Sequence, residues 1–200
     1  QFLAAKSKEA NIPCFGVLGD LILRFSKLLH QKASHVPSGQ HVLDEDYYKR
    51  IEAIQFTMSH DDGKITNDIE KSDIILLGIS RTSKTPTSIY LANRGYKTCN
   101  IPIVNKNSIP IRLIKNSKTS CVIGLTVEPS RLLDIRKNRM NFANGKRLSS
   151  YTDIEKIRSE LKMAKNIFKK NNWPIIDVTR KSVEETAASV IKIYDIIHSQ

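Results

Sequence analysis

The sequence predicts an α/β protein built on a mainly parallel sheet with a phosphate-loop strand-loop-helix and flanking helices. Three observations favour this fold class: short apolar runs without polar alternation, amphipathic helical segments between them, and the order β-α-β-β-α-α-β-α from residue 72 onwards. Of the 200 residues, 40% are hydrophobic and 26% are charged, which is typical of a globular chain that can bury a core.

The strands are predicted from apolar runs of five to eight residues. The segments are 73–79, 98–104, 120–127 and 173–178. The first is the clearest, because Ile74 to Leu77 are all apolar and such a run is typical of a strand that is buried on both faces. Between the strands we expect helices over 87–93, with Gly95 as C-cap, and over 129–140, with Pro129 in the first turn.

Two capping boxes predict the starts of the last two helices. The segment from Thr152 to Glu155 opens a helix with an apolar stripe at Ile154, Ile157, Leu161, Ala164 and Phe168. The segment from Ser182 to Glu185 opens another, with apolar positions at Val183, Ala187, Val190, Tyr194 and Ile197.

The N-terminal part of the chain carries weaker patterns. They indicate a strand over 12–18, a helix over 21–29, a turn at 37–39, a helix over 44–58 and a polar turn over 60–63. We expect residues 1–43 to be the remnant of an N-terminal region and a linker. Residues 44–200 contain Gly78 to Thr85 between a predicted strand and a predicted helix, a context typical of phosphate loops, so we expect them to form a nucleotide-binding catalytic domain. Because the chain starts at Gln1 rather than Met, we expect a longer natural protein.

The net charge of +12 raises the question of a polyanionic partner. Residues 1–100 carry 13 basic and 11 acidic side chains, whereas residues 101–200 carry 19 and 9. A nucleic-acid-binding module is one hypothesis, and it predicts an affinity that falls steeply with salt. We expect a solvated helix face instead, since no aromatic-basic interleaving is present and five lysines share the helix that begins near residue 152: Lys156, Lys162, Lys165, Lys169 and Lys170.

Membrane and disulfide classes are not indicated. The longest apolar run, around Ile74 to Ile79, is far too short to span a bilayer. Cys14, Cys99 and Cys121 are odd in number and form no CxxC pair, so we expect buried free thiols in a reducing cytoplasm.

The segment from Gly78 to Thr85 is the sharpest motif of the chain. It reads Gly78-Ile79-Ser80-Arg81-Thr82-Ser83-Lys84-Thr85, between a predicted strand and a predicted helix, which is the context of a phosphate loop. Backbone N–H groups and the helix N-terminus would hold phosphate, Lys84 would reach the terminal phosphates, and the Thr85 hydroxyl would meet Mg²⁺. Ser83 departs from the pattern, which has glycine there. The alternative is a polar strand-to-helix turn with one exposed lysine.

Further candidates carry charge near predicted strand ends. Asp177 and Glu128 follow strands, where α/β sites gather, and either is a candidate Mg²⁺ ligand or a capping carboxylate. Arg131, Arg136 and Arg139 share one predicted helix, and Arg180 follows a strand. Guanidinium groups suit phosphate, so Arg136 and Arg180 are candidate phosphate-binding or target-binding residues, or else solvated charges.

The same segments carry a resemblance. The run from Ile74 to Gly95 resembles the nucleotide loop of the pyruvate, phosphate dikinase regulatory protein family, which includes the phosphoenolpyruvate synthase regulatory proteins. Other similar segments follow in the family's order, from about residue 9 to the end of the chain: 47–54 with 60–63, 100–102, 124–126, 136–139 and 177–187.

The resemblance implies a bifunctional enzyme. Such proteins use ADP to phosphorylate a threonine beside the catalytic histidine of the dikinase, and they remove this phosphate with inorganic phosphate, which releases pyrophosphate. Ser83-Lys84-Thr85 resembles the dikinase branch of the family, whereas phosphoenolpyruvate synthase is the alternative target. By analogy with the family, we also expect Mg²⁺ and a homodimer.

The resemblance also assigns roles. The loop from Gly78 to Thr85 would hold the ADP phosphates, and Lys84 with Arg81 would neutralise charge at the transferred β-phosphoryl group. His60, Asp61 and Asp62 are three candidates for the group that accepts the threonine proton. Without the resemblance, 60–63 reads as a solvated turn. A phosphate-loop kinase for a small metabolite is the competing enzyme hypothesis.

Overall fold

The sheet confirms the predicted fold class. The computed structural model describes residues 2–14, 18–33, 44–63, 68–105, 108–110, 113, 120–142 and 149–199. Its four strands are β1 (Ile74–Gly78), β2 (Thr98–Pro102), β3 (Cys121–Thr126) and β4 (Ile175–Asp177), in the spatial order β2-β1-β3-β4. All three strand pairs are parallel, so the carboxyl ends of the strands lie at one edge of the sheet.

The strands are shorter than the apolar runs that predicted them. Ile103 donates its backbone N–H to the carbonyl oxygen of Gly78 at 2.9 Å, but β2 ends at Pro102 and Val104 is exposed. At β4, Trp173 and Val178 are buried although they lie outside the strand. Apolarity therefore marked burial, which continues into the connecting segments beyond the strand ladder.

Helices flank the sheet and connect its strands. They are α3 (Glu45–Ser59), α4 (Lys84–Asn93), α5 (Pro129–Phe142), α6 (Ile154–Lys170) and α7 (Val183–His198). Single 3₁₀ turns lie at Ile69–Lys71 and Ser149–Thr152. The prediction placed the start of α4 three residues too late, because Thr85 and Pro86 looked like loop residues, whereas proline is tolerated in a first helical turn.

One of the two predicted capping boxes is confirmed. Ser182 accepts a hydrogen bond from the Glu185 backbone N–H, and the Glu185 side chain accepts one from the Ser182 backbone. At α6 the prediction named the wrong residue: Asp153 is the N-cap and accepts from the Glu155 N–H at 2.9 Å. Thr152 belongs to the preceding 3₁₀ turn, so it is not free to cap.

The apolar stripe of α6 packs onto the sheet as predicted. Ile157, Leu161, Ala164 and Phe168 are buried, and the lysines of this helix lie on its exposed face. Phe168 fits against Gly124 of β3, where a Cβ atom would lie 2.5 Å from the ring. A side chain at position 124 would therefore push α6 off the sheet.

Residues 1–42 form one compact unit and residues 43–200 another. In the first unit lie α1 (Phe2–Glu9) and α2 (Gly19–Leu28), and α2 confirms the helix predicted over 21–29. The strand predicted over 12–18 is wrong where it is described, since residues 12–14 are irregular and Leu18 precedes α2. Residues 15–17 and the turn predicted at 37–39 lie outside the described residues.

Two of the three cysteines are buried thiols, as predicted. Burial raises the pKa of Cys99 to about 12 and that of Cys121 to about 11, so neither is a ready nucleophile. Cys14 is exposed, and the prediction of burial is wrong there. Across the parts of the chain that the structure describes, none of the helices has the length and apolarity needed to cross a membrane.

Candidate active site

A pocket of about 460 Å³ opens at the carboxyl edge of the sheet. Because β2 and β3 flank β1 on opposite sides, the chain leaves β1 and β3 in opposite directions, and α/β proteins bind ligands in the crevice that this creates. The lining residues come from the turn after α3, the segment after β1, the end of β2 and from α5: Asp61, Asp62, Ser80, Arg81, Ser83, Lys84, Thr85, Pro86, Pro102, Ile135 and Arg139.

Residues 78–85, here the 78–85 loop, form one wall of this pocket. The Thr82 hydroxyl donates to the carbonyl oxygen of Ile79 at 3.0 Å, which ties the loop to itself. Gly78 is required at the start, since a Cβ atom there would lie 2.5 Å from Thr82 Oγ1. The loop runs directly into α4, whose first N–H groups have no partner within the helix.

Ser83 adopts the conformation that the motif normally assigns to glycine. Its φ is 58° and its ψ is 21°, in the left-handed region, and Arg81 also has a positive φ of 73°. A left-handed conformation costs a non-glycine residue about 1–2 kcal/mol. The loop therefore holds two non-glycine residues in a left-handed conformation at a cost in stability, and such strain is concentrated at functional sites.

Lys84 is a nearly buried cation at the wall of the pocket. Its side chain is folded inward, its Nζ donates to the carbonyl oxygen of Ile79 at 2.9 Å, and only 6% of the residue is exposed. Burial lowers the pKa of this ammonium from 10.5 to about 8, whereas Asp62 and then Asp61 favour its charged form and raise the pKa. An anion bound in the pocket would favour the charged form of Lys84 and would thereby offset the loss of solvation that burial causes.

The turn after α3 brings two carboxylates to the pocket. His60 caps α3, and the chain turns at Asp62 and Gly63, which have positive φ values of 54° and 79°. Two backbone hydrogen bonds of 3.1 Å attach this turn to Asn100 of β2, from the Asn100 N–H to the His60 oxygen and from the Gly63 N–H to the Asn100 oxygen. Asp61 is half-buried and Asp62 is exposed, and both line the pocket.

His60 lies apart from the lining. It is 4% exposed, its ring stacks on Phe56 at 3.9 Å, and its Nδ1 lies 2.8 Å from the Phe56 oxygen and 2.9 Å from Ser59 Oγ. The ring is thus held against α3, and of the three residues predicted as candidate bases only Asp61 and Asp62 line the pocket.

Asp61 is joined to Thr85 across the pocket floor. The Thr85 hydroxyl donates to Asp61 Oδ1 at 3.1 Å, and the Asn100 amide nitrogen donates to the same oxygen at 2.5 Å and to Thr85 Oγ1 at 2.9 Å. The sequence analysis gave Asn100 no role of its own and included it only in the segment 100–102 that resembles the family. The available signal was an asparagine between the apolar residues Cys99 and Ile101 in a predicted strand.

The arginines of α5 divide between the pocket and its support. Arg139 lines the pocket, whereas Arg136 is 1% exposed and lies behind it. The Arg136 guanidinium pairs with Glu160 at 2.7 Å, lies 4.5 Å from the centre of the Tyr151 ring, and donates to the Ser80 oxygen at 3.4 Å. Arg136 therefore connects α5, α6 and the 78–85 loop.

The candidates near β4 do not line the pocket. Asp177 is exposed, and its Oδ1 accepts a hydrogen bond from the Thr179 N–H at 2.9 Å, while the Thr179 hydroxyl accepts one from the Glu128 N–H at 2.8 Å. Arg180 is exposed beside them. Within the described residues, no group of three or more His, Cys, Asp or Glu side chains is placed to hold a metal ion. The assignments of Asp177 to a metal and of Arg180 to phosphate stay predictions.

Comparisons with known proteins identify the family of this chain. Residues 1–191 match the family described as "Kinase/pyrophosphorylase". A protein of Pelagibacter ubique is 69% identical over 98% of this chain and 72% of its own length. Relatives from Sphingopyxis alaskensis and Erythrobacter litoralis are 48% and 46% identical over 96% of this chain and over 71% and 69% of their own lengths. All three are named "Putative pyruvate, phosphate dikinase regulatory protein". This chain therefore belongs to the kinase/pyrophosphorylase family.

Proposed function

We propose that this chain is a bifunctional protein kinase and phosphorylase that acts on pyruvate, phosphate dikinase. In one direction it transfers the β-phosphoryl group of ADP to a threonine of the target, and in the other it transfers that group from phosphothreonine to inorganic phosphate. The observation that carries the proposal is the buried Lys84, which faces two carboxylates across a pocket walled by a strained strand-to-helix loop. The family and the names of the relatives support it.

The 78–85 loop fits the phosphates of ADP. A nearly buried ammonium, a helix N-terminus and the guanidinium groups of Arg81 and Arg139 surround the pocket, and each of these favours an anion. In the forward reaction the threonine oxygen forms a bond to the β-phosphorus, the bond between that phosphorus and the bridging oxygen breaks, and AMP leaves. Lys84 and Arg81 would stabilise the charge that develops on the transferred group and on the leaving oxygen.

Asp62 is the best candidate for the base. Its carboxylate is exposed at the pocket, whereas Asp61 Oδ1 is already engaged by Thr85 and Asn100 and the His60 ring stacks on Phe56. Asp62 would accept the threonine proton as the O–P bond forms. In the reverse direction the same site would bind inorganic phosphate, one of its oxygens would attack the phosphothreonine phosphorus, and the threonine oxygen would leave with a proton to give pyrophosphate.

Asp61 and Thr85 fit a Mg²⁺ ion. Both offer oxygen ligands, and their oxygens already lie 3.1 Å apart. Proteins hold Mg²⁺ through one or two such groups together with substrate phosphates and water, so a larger cluster of acidic residues is not required. The bound ion would neutralise phosphate charge, while Asp61 and Thr85 would fix its place beside the 78–85 loop.

The dikinase is preferred over phosphoenolpyruvate synthase as the target. The relatives carry the dikinase in their names, and Ser83-Lys84-Thr85 resembles the dikinase branch of the family. The choice of ADP over ATP as donor separates this function from that of a small-metabolite kinase, since both would use a phosphate loop.

The experiment is to incubate the protein with each purified target and with ADP or ATP. We expect threonine phosphorylation of the dikinase with ADP, accompanied by AMP in a one-to-one ratio, when the modified residue is identified by mass spectrometry. Addition of inorganic phosphate to the modified target should release pyrophosphate. Phosphorylation of the synthase alone would show that the synthase, and not the dikinase, is the target. Transfer from ATP to a small molecule without any protein modification would refute the proposal.

A further inference from the structure

Asn100 is a polar residue that is buried without an evident structural need. It lies in the middle of β2 between Cys99 and Ile101, which are both buried, and it is itself 1% exposed. Burial of an amide side chain costs free energy unless its donors and acceptor find partners. An apolar residue would serve the core at this position at least as well, so the side chain calls for an explanation in its contacts.

Those contacts all lead to the candidate active site. The backbone of Asn100 holds the turn that carries Asp61 and Asp62, through hydrogen bonds of 3.1 Å to His60 and from Gly63. Its side-chain nitrogen donates at once to Asp61 Oδ1 and to Thr85 Oγ1, at 2.5 and 2.9 Å. Both amide protons are thus donated in hydrogen bonds, to two residues that come from different segments of the chain.

The orientation of the amide follows from the charge of its neighbour. A carboxylate only accepts hydrogen bonds, so the Asn100 nitrogen must face Asp61, and the amide oxygen is turned away and has no partner among the described atoms. A buried acceptor without a partner costs about 1–3 kcal/mol. The fold tolerates this cost in order to present two donors to Asp61 and Thr85.

We propose that Asn100 is a positioning residue, which fixes Asp61 against Thr85 and so leaves Asp62 as the carboxylate available to the target hydroxyl. This inference rests on the proposed function. It explains why two adjacent aspartates take different roles. Asp61 is held by hydrogen bonds from Thr85 and Asn100, which are also bonded to each other, whereas Asp62 is exposed in a turn where its φ is 54°. A displacement of about 1 Å in such a site costs on the order of 100-fold in rate.

The test compares Asn100→Leu with wild type and with the control Asn166→Leu, which changes an exposed asparagine of α6. Leucine has the same number and branching of side-chain heavy atoms but no donor. We expect kcat to fall on the order of 100-fold. The dissociation constant for ADP without metal should change less than about threefold, since the loop and Lys84 remain. The control should keep the wild-type rate within about twofold. A kcat within about threefold of wild type, or a parallel loss of ADP binding and thermal stability, would overturn the inference.

A double variant shows whether Asn100 acts through Asp61. If it does, Asn100→Leu with Asp61→Asn should be nearly as active as Asp61→Asn alone, whereas independent roles would multiply the losses and contradict the proposal. If Asn100→Leu does not fold, the wild-type protein still decides: its Asn100 side-chain amide protons should exchange with solvent far more slowly than those of Asn166, and equal exchange overturns the inference. A wild-type protein that transfers nothing from ADP would refute the proposed function itself, a result distinct from any of these.

Discussion

Two ends of the same sheet edge carry aspartates, and the pocket of the candidate active site lies at one of them. At the β1–β2 end, Asp61 and Asp62 face the nearly buried Lys84 across the pocket, and Asn100 ties Asp61 to Thr85. At the β3–β4 end, Asp177 is exposed, and the groups around it satisfy one another through Thr179. Both ends lie at the carboxyl edge of the parallel sheet, where sites gather in α/β proteins.

The difference lies in what surrounds each carboxylate. At the first end, opposite charges surround a cavity, and Lys84 is largely shielded from solvent. An anionic ligand would therefore stabilise the charged form of Lys84. At the second end, the carboxylate of Asp177 already accepts a hydrogen bond from the Thr179 N–H within a local turn. In this protein the carboxylate of Asp177 has a local structural role, whereas the buried Lys84 beside a strained loop favours an anion site.

The largest expected effect is that of Lys84→Ala. We expect both directions of the reaction to slow on the order of 1,000-fold, because one ammonium is proposed to stabilise the same transferred group in each. The fold should persist, since the side chain is buried at a cost that its removal relieves. Steady-state rates with ADP and with inorganic phosphate measure the effect. Lys181→Ala, beside β4, is the matched control and should keep near-normal rates in both directions.

Exchange of the two site aspartates should give unequal results. Asp62→Asn removes the proposed base, and we expect a loss of about 100- to 10,000-fold in the ADP-dependent direction. Asp61→Asn retains an acceptor oxygen for Thr85 and should impair Mg²⁺ dependence more than proton transfer. The measurement is the rate of each variant as a function of Mg²⁺ concentration. Equal rates and equal Mg²⁺ requirements for the two variants would contradict the division of roles.

The affinity for ADP should depend on pH through Lys84. Its pKa is lowered to about 8, so the ammonium is charged below that pH and is lost as the pH rises through it. We expect the dissociation constant, measured by calorimetry without metal, to rise by up to about tenfold per pH unit above the midpoint. Because Asp62 raises the pKa of Lys84, Asp62→Asn should move the midpoint to lower pH. A wild-type midpoint near that of a solvated lysine would argue against the buried cation.

A smaller effect is expected at the other end of the sheet. Asp177→Asn keeps an acceptor for the Thr179 N–H, so we expect a loss of at most about 1 kcal/mol in the free energy of unfolding and rates within about twofold of wild type. Chemical denaturation and the two activity assays check this. A rate loss comparable to that of Asp61→Asn would restore the metal-binding role predicted for Asp177 from the sequence.

The smallest effect concerns the strain of the 78–85 loop. Ser83→Gly should raise the free energy of unfolding by about 1 kcal/mol and the melting temperature by about 2–4 °C, because glycine adopts the left-handed conformation without steric cost. Ser80→Gly, at a loop position without positive φ, should not stabilise the protein. Equal changes in the two melting temperatures would show that Ser83 is not strained in solution.

The sequence predicted the parallel sheet and the strand-loop-helix segment around Gly78 well, for physical reasons that are local. Continuous apolar runs and capping residues report on the strands and helices that contain them, and Gly78, Lys84 and Thr85 are close enough in the chain for their spacing to carry the geometry. Ser83 departs from the sequence pattern, which has glycine there. Its φ of 58° lies in the left-handed region that glycine adopts without steric cost.

What the sequence could not predict depends on contacts between distant residues. Asn100 meets Asp61 and Thr85 only because β2 lies beside β1 and the turn after α3 is attached to β2. The sequence also could not predict that Arg136 is buried and paired with Glu160 of α6, and its predicted role as a phosphate-binding residue stays a prediction. Asp177 and Arg180 satisfied the strand-end rule but do not line the pocket beside Lys84, and their roles stay predictions.

The end of the sheet edge at which ADP binds can be determined most directly by mapping ADP onto the protein. In ¹H–¹⁵N NMR spectra of the wild-type chain, titration with ADP should shift the backbone amides of residues 78–85 and 60–63 and leave those of residues 177–181 unchanged. The same titration of Lys84→Ala should shift neither segment at equal concentration. Shifts concentrated at 177–181, or an undiminished response of Lys84→Ala, would contradict the central claim that the nucleotide binds at the buried lysine beside β1.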